Sequence, residues 1–210
     1  MTQLAASERT ALCDLALQVG EGEPTLCAGW TVKDLVIHLL VREGSPAAIG
    51  IAVSPLSRLT DAASARLGRR PFTELVERLR GGPPRLSPYS IPKVGELANG
   101  LEFFVHHEDI RRARPTWSPR ELGAETDRLL WSTLRMPGKA LTRKAPVGVS
   151  IEDSTTGAGT ALKKGTPAVT VKGAPSELVM YLFGRSAQAR VELLGPDAAV
   201  ARLAGTSLGI

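Results

Sequence analysis

The chain has 210 residues and only three histidines, His38, His106 and His107. Imidazole titrates near neutral pH and is the commonest nitrogen ligand for metals, so these positions carry the first chemical signal. Glu102 and His106 are four residues apart in a run that reads as helix, so they stack on one face, with Asp109 three residues further along the same stripe. Ala98 and Ala113 flank that stripe and leave it unfilled by bulky side chains. A carboxylate and an imidazole one turn apart can hold a single ion, and His38 on a facing helix can add the third ligand. Such oxygen and nitrogen donors suit Zn²⁺, Ni²⁺, Co²⁺, Mn²⁺ or Fe²⁺, with zinc the first expectation. Three protein ligands leave positions open for water or substrate, the arrangement of catalytic rather than structural sites. The same residues also admit quieter roles, as satisfied core histidines and a solvated helix carboxylate, and spacing alone does not choose between them. His107 points about 100° away from His106 on a helix and is expected to pack or hydrogen-bond instead. Asp109 would either orient a ligand histidine or pair with Arg111 or Arg112.

These residues need helices to position them, and the sequence supplies good signals. Residues 2–19 read as helix, with Leu4, Leu12, Leu15 and Val19 roughly on one face, and Gly20 and Gly22 stop it. Thr31 precedes Asp34 by three residues, the spacing of a capping box, and Trp30 and Leu35 flank it as a hydrophobic staple would. The helix that starts there runs to about Glu43 and carries His38. Residues 47–67 are rich in Ala and Ser and suggest a helix interrupted near Pro55. Pro71 opens a short helix to Arg80. The proline-rich stretch 81–92 is an irregular crossover. Residues 94–113 form the second strong helix, Pro115 and Pro119 bracket a loop, and residues 121–136 form another helix. Beyond about residue 143, Val147, Val149 and Ile151 alternate with small and polar residues as in a strand, and 168–172 is a second strand. A helix follows from Pro175 to Phe183, then a short strand at 191–194 and a last helix at 197–204. The expected fold is therefore mainly α, with a helical domain over 1–142 and a small α+β domain over 143–210.

Composition narrows the functional classes. The net charge is +5, from 26 basic and 21 acidic residues, but the arginines are scattered among acids rather than gathered in a stripe with aromatics. Nucleic-acid binding is not expected from that pattern. No apolar run approaches a membrane span, and the first twenty residues lack the basic start and apolar stretch of a signal peptide, so a cytoplasmic protein is expected. Cys13 and Cys27 form no metal or disulfide motif and are expected to be small core residues.

Two stretches carry a family resemblance. Pro24-Thr-Leu-Cys-Ala-Gly-Trp-Thr-Val-Lys-Asp-Leu-Val-Ile-His38-Leu and Leu101-Glu-Phe-Phe-Val-His-His-Glu-Asp-Ile-Arg-Arg112 resemble the two signatures of actinobacterial proteins related to mycothiol-dependent maleylpyruvate isomerase. The resemblance implies a DinB-like four-helix bundle whose divalent metal is held by His38, Glu102 and His106, with Asp109 beside them. Gly173-Ala-Pro-Ser-Glu-Leu-Val-Met-Tyr-Leu-Phe-Gly-Arg185 is similar to that group's C-terminal segment and implies Arg185 as a second catalytic candidate beside Asp109. Mycothiol is the thiol cofactor the resemblance implies, and a small-molecule electrophile or thiol the partner.

Three readings of function follow. The first is a metal-assisted, thiol-dependent isomerase or transferase, in which Arg185 clamps an anionic substrate group. The second is a non-catalytic metal-binding sensor or partner-binding module. The third is a small-ligand carrier built on the C-terminal α+β domain. Metal binding is common to the first two. The sequence leaves the oligomeric state open between monomer and homodimer.

Overall fold

The computed structural model describes residues 4–44 and 57–209. The chain divides into two compact units, one ending at Ser118 and the other beginning at Pro119. The first unit comprises α1 (Leu4–Val19), α2 (Val32–Gly44), α3 (Ser57–Gly68), α4 (Phe72–Arg80), a 3-10 turn (Pro88–Ser90) and α5 (Pro92–Arg112). The expected break near Pro55 lies outside the described residues.

The start of α2 is the capping box that the spacing predicts. The Asp34 amide donates to Thr31 Oγ1 at 3.3 Å, and Asp34 Oδ2 accepts from the Thr31 amide at 2.9 Å. Each side chain satisfies an amide that the first helical turn leaves without a partner. Leu35 then turns into the core, but Trp30 is 36% exposed and its ring lies 5.0 Å from that of His38. Trp30 therefore packs against a candidate ligand rather than serving only as a staple.

Leu12, Leu35, Leu39, Leu75, Leu79, Phe103 and Ile110 are fully buried and form one apolar core. Helix α1 packs against α4 and α5, and α2 packs against α3 and α4. Inside this core lies a buried ion pair. Two nitrogens of Arg9 donate to the two oxygens of Glu43, each at 2.6 Å, and the guanidinium sits over the Phe103 ring at 4.3 Å from its centroid. Arg9 also donates to the Leu79 carbonyl at 3.0 Å. The bidentate geometry and the extra acceptor offset the cost of removing both charges from water.

The second unit comprises α6 (Ala124–Leu141), β1 (Gly148–Asp153), β2 (Gly159–Lys163), β3 (Ala168–Gly173), α7 (Pro175–Leu182), β4 (Glu192–Leu194) and α8 (Asp197–Ala204). Its four strands run in the order β2-β1-β3-β4. The central pair β1 and β3 is parallel, with Ile151 opposite Val171, and both outer strands are antiparallel to their neighbours. Val149, Ile151, Val169 and Val171 are fully buried, and α7 and α8 pack on β3. Strand β2 was not foreseen, because only Leu162 in Gly-Thr-Ala-Leu-Lys is buried and the segment lacks the apolar alternation of a strand.

The expected class, mainly helical with a small sheet, matches this architecture. The division of the chain differs from the boundary expected near residue 143. That boundary marks where helical texture gives way to strands. Helix α6 groups with the sheet instead: it contacts α7 and β2, and its Gly138 abuts the Leu162 side chain so closely that a Cβ there would meet it at 3.0 Å. Helix α6 also runs through Pro137 rather than ending at residue 136. The Gly-Arg pair after α7 has a local explanation. Gly184 has φ +86°, its amide donates to the Tyr181 carbonyl at 3.1 Å, and the Arg185 amide donates to the Met180 carbonyl at 2.9 Å. This is the paired-bond helix ending that places a left-handed glycine just past the last turn. Among the described residues, no helix is long and apolar enough to cross a membrane.

Replacing Glu43 with Leu should destabilise the protein by about 3–5 kcal/mol in urea unfolding, since Arg9 would keep a buried charge without its carboxylate. Thr31→Ala should cost only about 1 kcal/mol, the usual value of one helix cap.

Candidate metal centre

Helix α5 supplies a carboxylate and an imidazole on one stripe, and α2 brings His38 to meet them. Glu102 Oε1 lies 3.3 Å from His106 Nε2 and 3.5 Å from His38 Nε2. One ligand atom from each of the three residues falls within 4.8 Å of the other two. The two shorter separations exceed an ordinary charge-assisted hydrogen bond. They match the edge of a tetrahedron whose metal–ligand bonds are about 2.0–2.1 Å, which is about 3.3 Å. Two nitrogens and one carboxylate oxygen at such spacing fit a first-row divalent ion.

The neighbouring groups orient this trio. His106 Nδ1 is 2.9 Å from Asp109 Oδ2, and Asp109 is fully buried. With its proton on Nδ1 donated to Asp109, His106 would turn the lone pair of Nε2 toward Glu102 and His38. Asp109 thus has the His106 ring as a partner, the contact that a ligand-orienting carboxylate would make. Arg112 binds Glu108 at 2.5 Å and Arg111 binds it at 3.0 Å. His107 points away, as helical geometry requires, and its Nδ1 is 2.8 Å from Glu8 Oε2 on α1. The His38 ring stands edge-on to the His106 ring at 5.4 Å and 71°.

Two participants escaped the sequence reading. Arg42, one helical turn after His38, places Nε 3.4 Å from the same Glu102 oxygen. Its guanidinium also donates to Asn99 Oδ1 and lies 4.9 Å from the centroid of the Tyr89 ring. The His38 and Arg42 spacing of four was the available signal. Cys27 was expected in the core. Cys13 is indeed fully buried there, whereas Cys27 is only partly buried and donates from Sγ to Asp109 Oδ2 at 3.3 Å. Nothing in its spacing could have shown this, because 82 residues separate the two partners.

Electrostatics follow from these contacts. Burial alone would raise the Glu102 carboxyl, but the adjacent His106 and His38 rings and the Arg42 charge outweigh it and hold it well below the carboxylate range. Burial alone would lower His106, yet the hydrogen bonds to Asp109, Cys27 and Glu102 and the Glu102 charge hold it well above its ordinary value. Arg185 belongs to the second unit, where its guanidinium donates to the Phe183 carbonyl at 2.6 Å. A cavity of about 520 Å³ opens beside the site, bordered by Trp30, His38, Asp34, Asp61 and Ser64.

No family model matches the chain, and no curated protein does. Two solved structures do. Both are of mycothiol-dependent maleylpyruvate isomerase, one a histidine-to-alanine mutant, and each aligns at TM-score 0.51 and 16% identity over 90% of this chain and 88% of that chain. The fold is therefore shared with that isomerase over nearly the whole of both chains. Identity this low establishes the fold alone.

The metal-free protein should lose stability as pH rises. A histidine raised in the folded state contributes stability fully below about pH 6.5 and loses it as pH climbs through the folded value. The depressed Glu102 contributes above the ordinary carboxylate range and loses its share only in acid. Urea unfolding between about pH 6 and about pH 9 should show wild type weakening, while His106→Gln stays nearly flat across the same window.

Proposed function

We propose that this protein binds one divalent ion, zinc in the first instance, through His38, Glu102 and His106, and uses it for thiol-dependent isomerase or transferase chemistry in the cytoplasm. The convergence of those three side chains around Glu102 Oε1 is the observation that carries the reading. The shared fold with mycothiol-dependent maleylpyruvate isomerase supports mycothiol as the thiol and a small unsaturated acid as the electrophile.

Bound there, the ion would supply Lewis acidity and lower the pKa of a coordinated thiol or water into the neutral range. The chain's own residues do the rest. Asp109 fixes the tautomer and the ring plane of His106. Arg42 holds the Glu102 carboxylate ionised and in place, and is itself steadied by Asn99. Asn99 also donates to Glu43, the partner of Arg9, so the ligand carboxylate is anchored through side chains to the α1 core. The Trp30 ring limits the motion of His38 and borders the cavity in which a substrate would lie. Arg185, carried by the sequence resemblance, would hold an anionic substrate group through its planar fork.

Elemental analysis of purified protein should find about one zinc per chain, falling toward zero in His106→Ala, as for a site that loses one of three protein ligands. Zinc-loaded wild type should isomerise maleylpyruvate only when mycothiol is present. Zinc-free protein after loading would overturn the whole reading. Zinc without turnover would overturn the catalytic half.

A further inference from the structure

His106 has two nitrogens, and the second faces a donor set of a different kind. Cys27 Sγ is 3.3 Å from Asp109 Oδ2 and 4.0 Å from His106 Nδ1, and the Asp109 to His106 separation is 2.9 Å. All three ligand atoms lie within 4.8 Å of one another. Tetrahedral coordination with a sulfur bond of about 2.3 Å and nitrogen and oxygen bonds of about 2.0–2.2 Å needs edges of about 3.3–3.6 Å. The observed edges reach that range with shifts of a few tenths of an ångström. The loop that carries Cys27 is fixed to the same helix: the Leu26 amide donates to the Asp109 carbonyl at 3.1 Å. It is also folded on itself, with Cys27 bonded through its amide to Thr25 Oγ1 at 3.2 Å and through its carbonyl to the Trp30 amide at 2.9 Å.

We propose that Cys27, Asp109 and His106 Nδ1 form a second ion position, selective for thiophilic ions and mutually exclusive with the first. A thiolate makes this donor set softer than two imidazoles and a carboxylate, so it favours Cd²⁺ or Cu⁺ over Mn²⁺ or Fe²⁺. Binding releases two protons to solvent, one from the Cys27 thiol and one from His106 Nδ1, and leaves His106 neutral with its proton on Nε2. Glu102 Oε1, 3.3 Å from Nε2, faces that N–H. Each carboxylate therefore orients the ring for the ion on the other edge: Asp109 for the first position, Glu102 for the second. One neutral imidazole carries one proton and offers one lone pair, so an ion on Nδ1 withdraws His106 from the first position. A thiophilic ion would thereby displace the other. The proposal does not rest on the catalytic reading, since it needs neither His38 nor a substrate.

Titration of the full-length, metal-free protein with Cd²⁺ tests it. Wild type should develop a thiolate-to-cadmium charge-transfer absorption that saturates at about one ion per chain, as one thiolate site requires. The band should survive in Cys13→Ser and in His38→Ala, and vanish in Cys27→Ser. Asp109→Ala should weaken cadmium binding about tenfold or more. No band in folded wild type, or a band that persists in Cys27→Ser, would overturn the proposal. Zinc stoichiometry of Cys27→Ser protein separates the two sites, because the first position should still fill when the second is destroyed.

Discussion

From residue 99 to 112 helix α5 is buried on nearly every side, yet between residues 102 and 112 it carries Glu102, His106, His107, Glu108, Asp109 and Arg112. Ionisable groups taken out of water must find partners or neutralise, and a lone buried charge costs several kcal/mol. Each group on α5 is matched by a different part of the first unit or by a neighbour along the helix. Glu8 on α1 meets His107, Arg112 meets Glu108, Cys27 in the first loop meets Asp109, and His38 and Arg42 on α2 meet Glu102. The apolar residues Phe103 and Ile110, interleaved with these, lock the helix to the core. Pairing thus fixes where α1, α2 and the Cys27 loop can sit.

The Glu102 side of the helix has a longer reach. Its carboxylate touches Arg42, Arg42 touches Asn99, Asn99 touches Glu43, and Glu43 is gripped by Arg9. All five side chains come from helices α1, α2 and α5, which the apolar periodicity describes only as helix faces. In a medium of low dielectric such a chain holds its members in one arrangement, because breaking any link leaves a polar group without a partner. A carboxylate held in this way would be pre-organised for the ion proposed above. It also has the Arg42 cation 3.4 Å away, which opposes a second positive charge at the same oxygen.

His106 stands between two donor sets of different softness. One nitrogen faces the carboxylate of Glu102 and the imidazole of His38, the other faces the carboxylate and thiol of Asp109 and Cys27. A single proton on the ring decides which nitrogen can coordinate.

The sequence by itself determined what helical geometry can determine. A repeat of 3.6 residues puts Glu102, His106 and Asp109 on one stripe and turns His107 off it, whatever surrounds the helix. The capping box at Thr31 and Asp34 and the alternation at Val147, Val149 and Ile151 are equally local, and each appears where its spacing placed it. Residues that met a distant partner were less legible. His38 lies on another helix, and no interval along the chain ties it to Glu102 and His106. By spacing alone Cys27 is a small core residue, Arg42 an ordinary helix charge and Trp30 a staple. Those outcomes depend on how helices pack, and packing is decided by the summed burial and pairing of many side chains rather than by any one interval along the chain. The tertiary structure alone therefore decided which groups share the His106 ring and which oxygen of Glu102 they share.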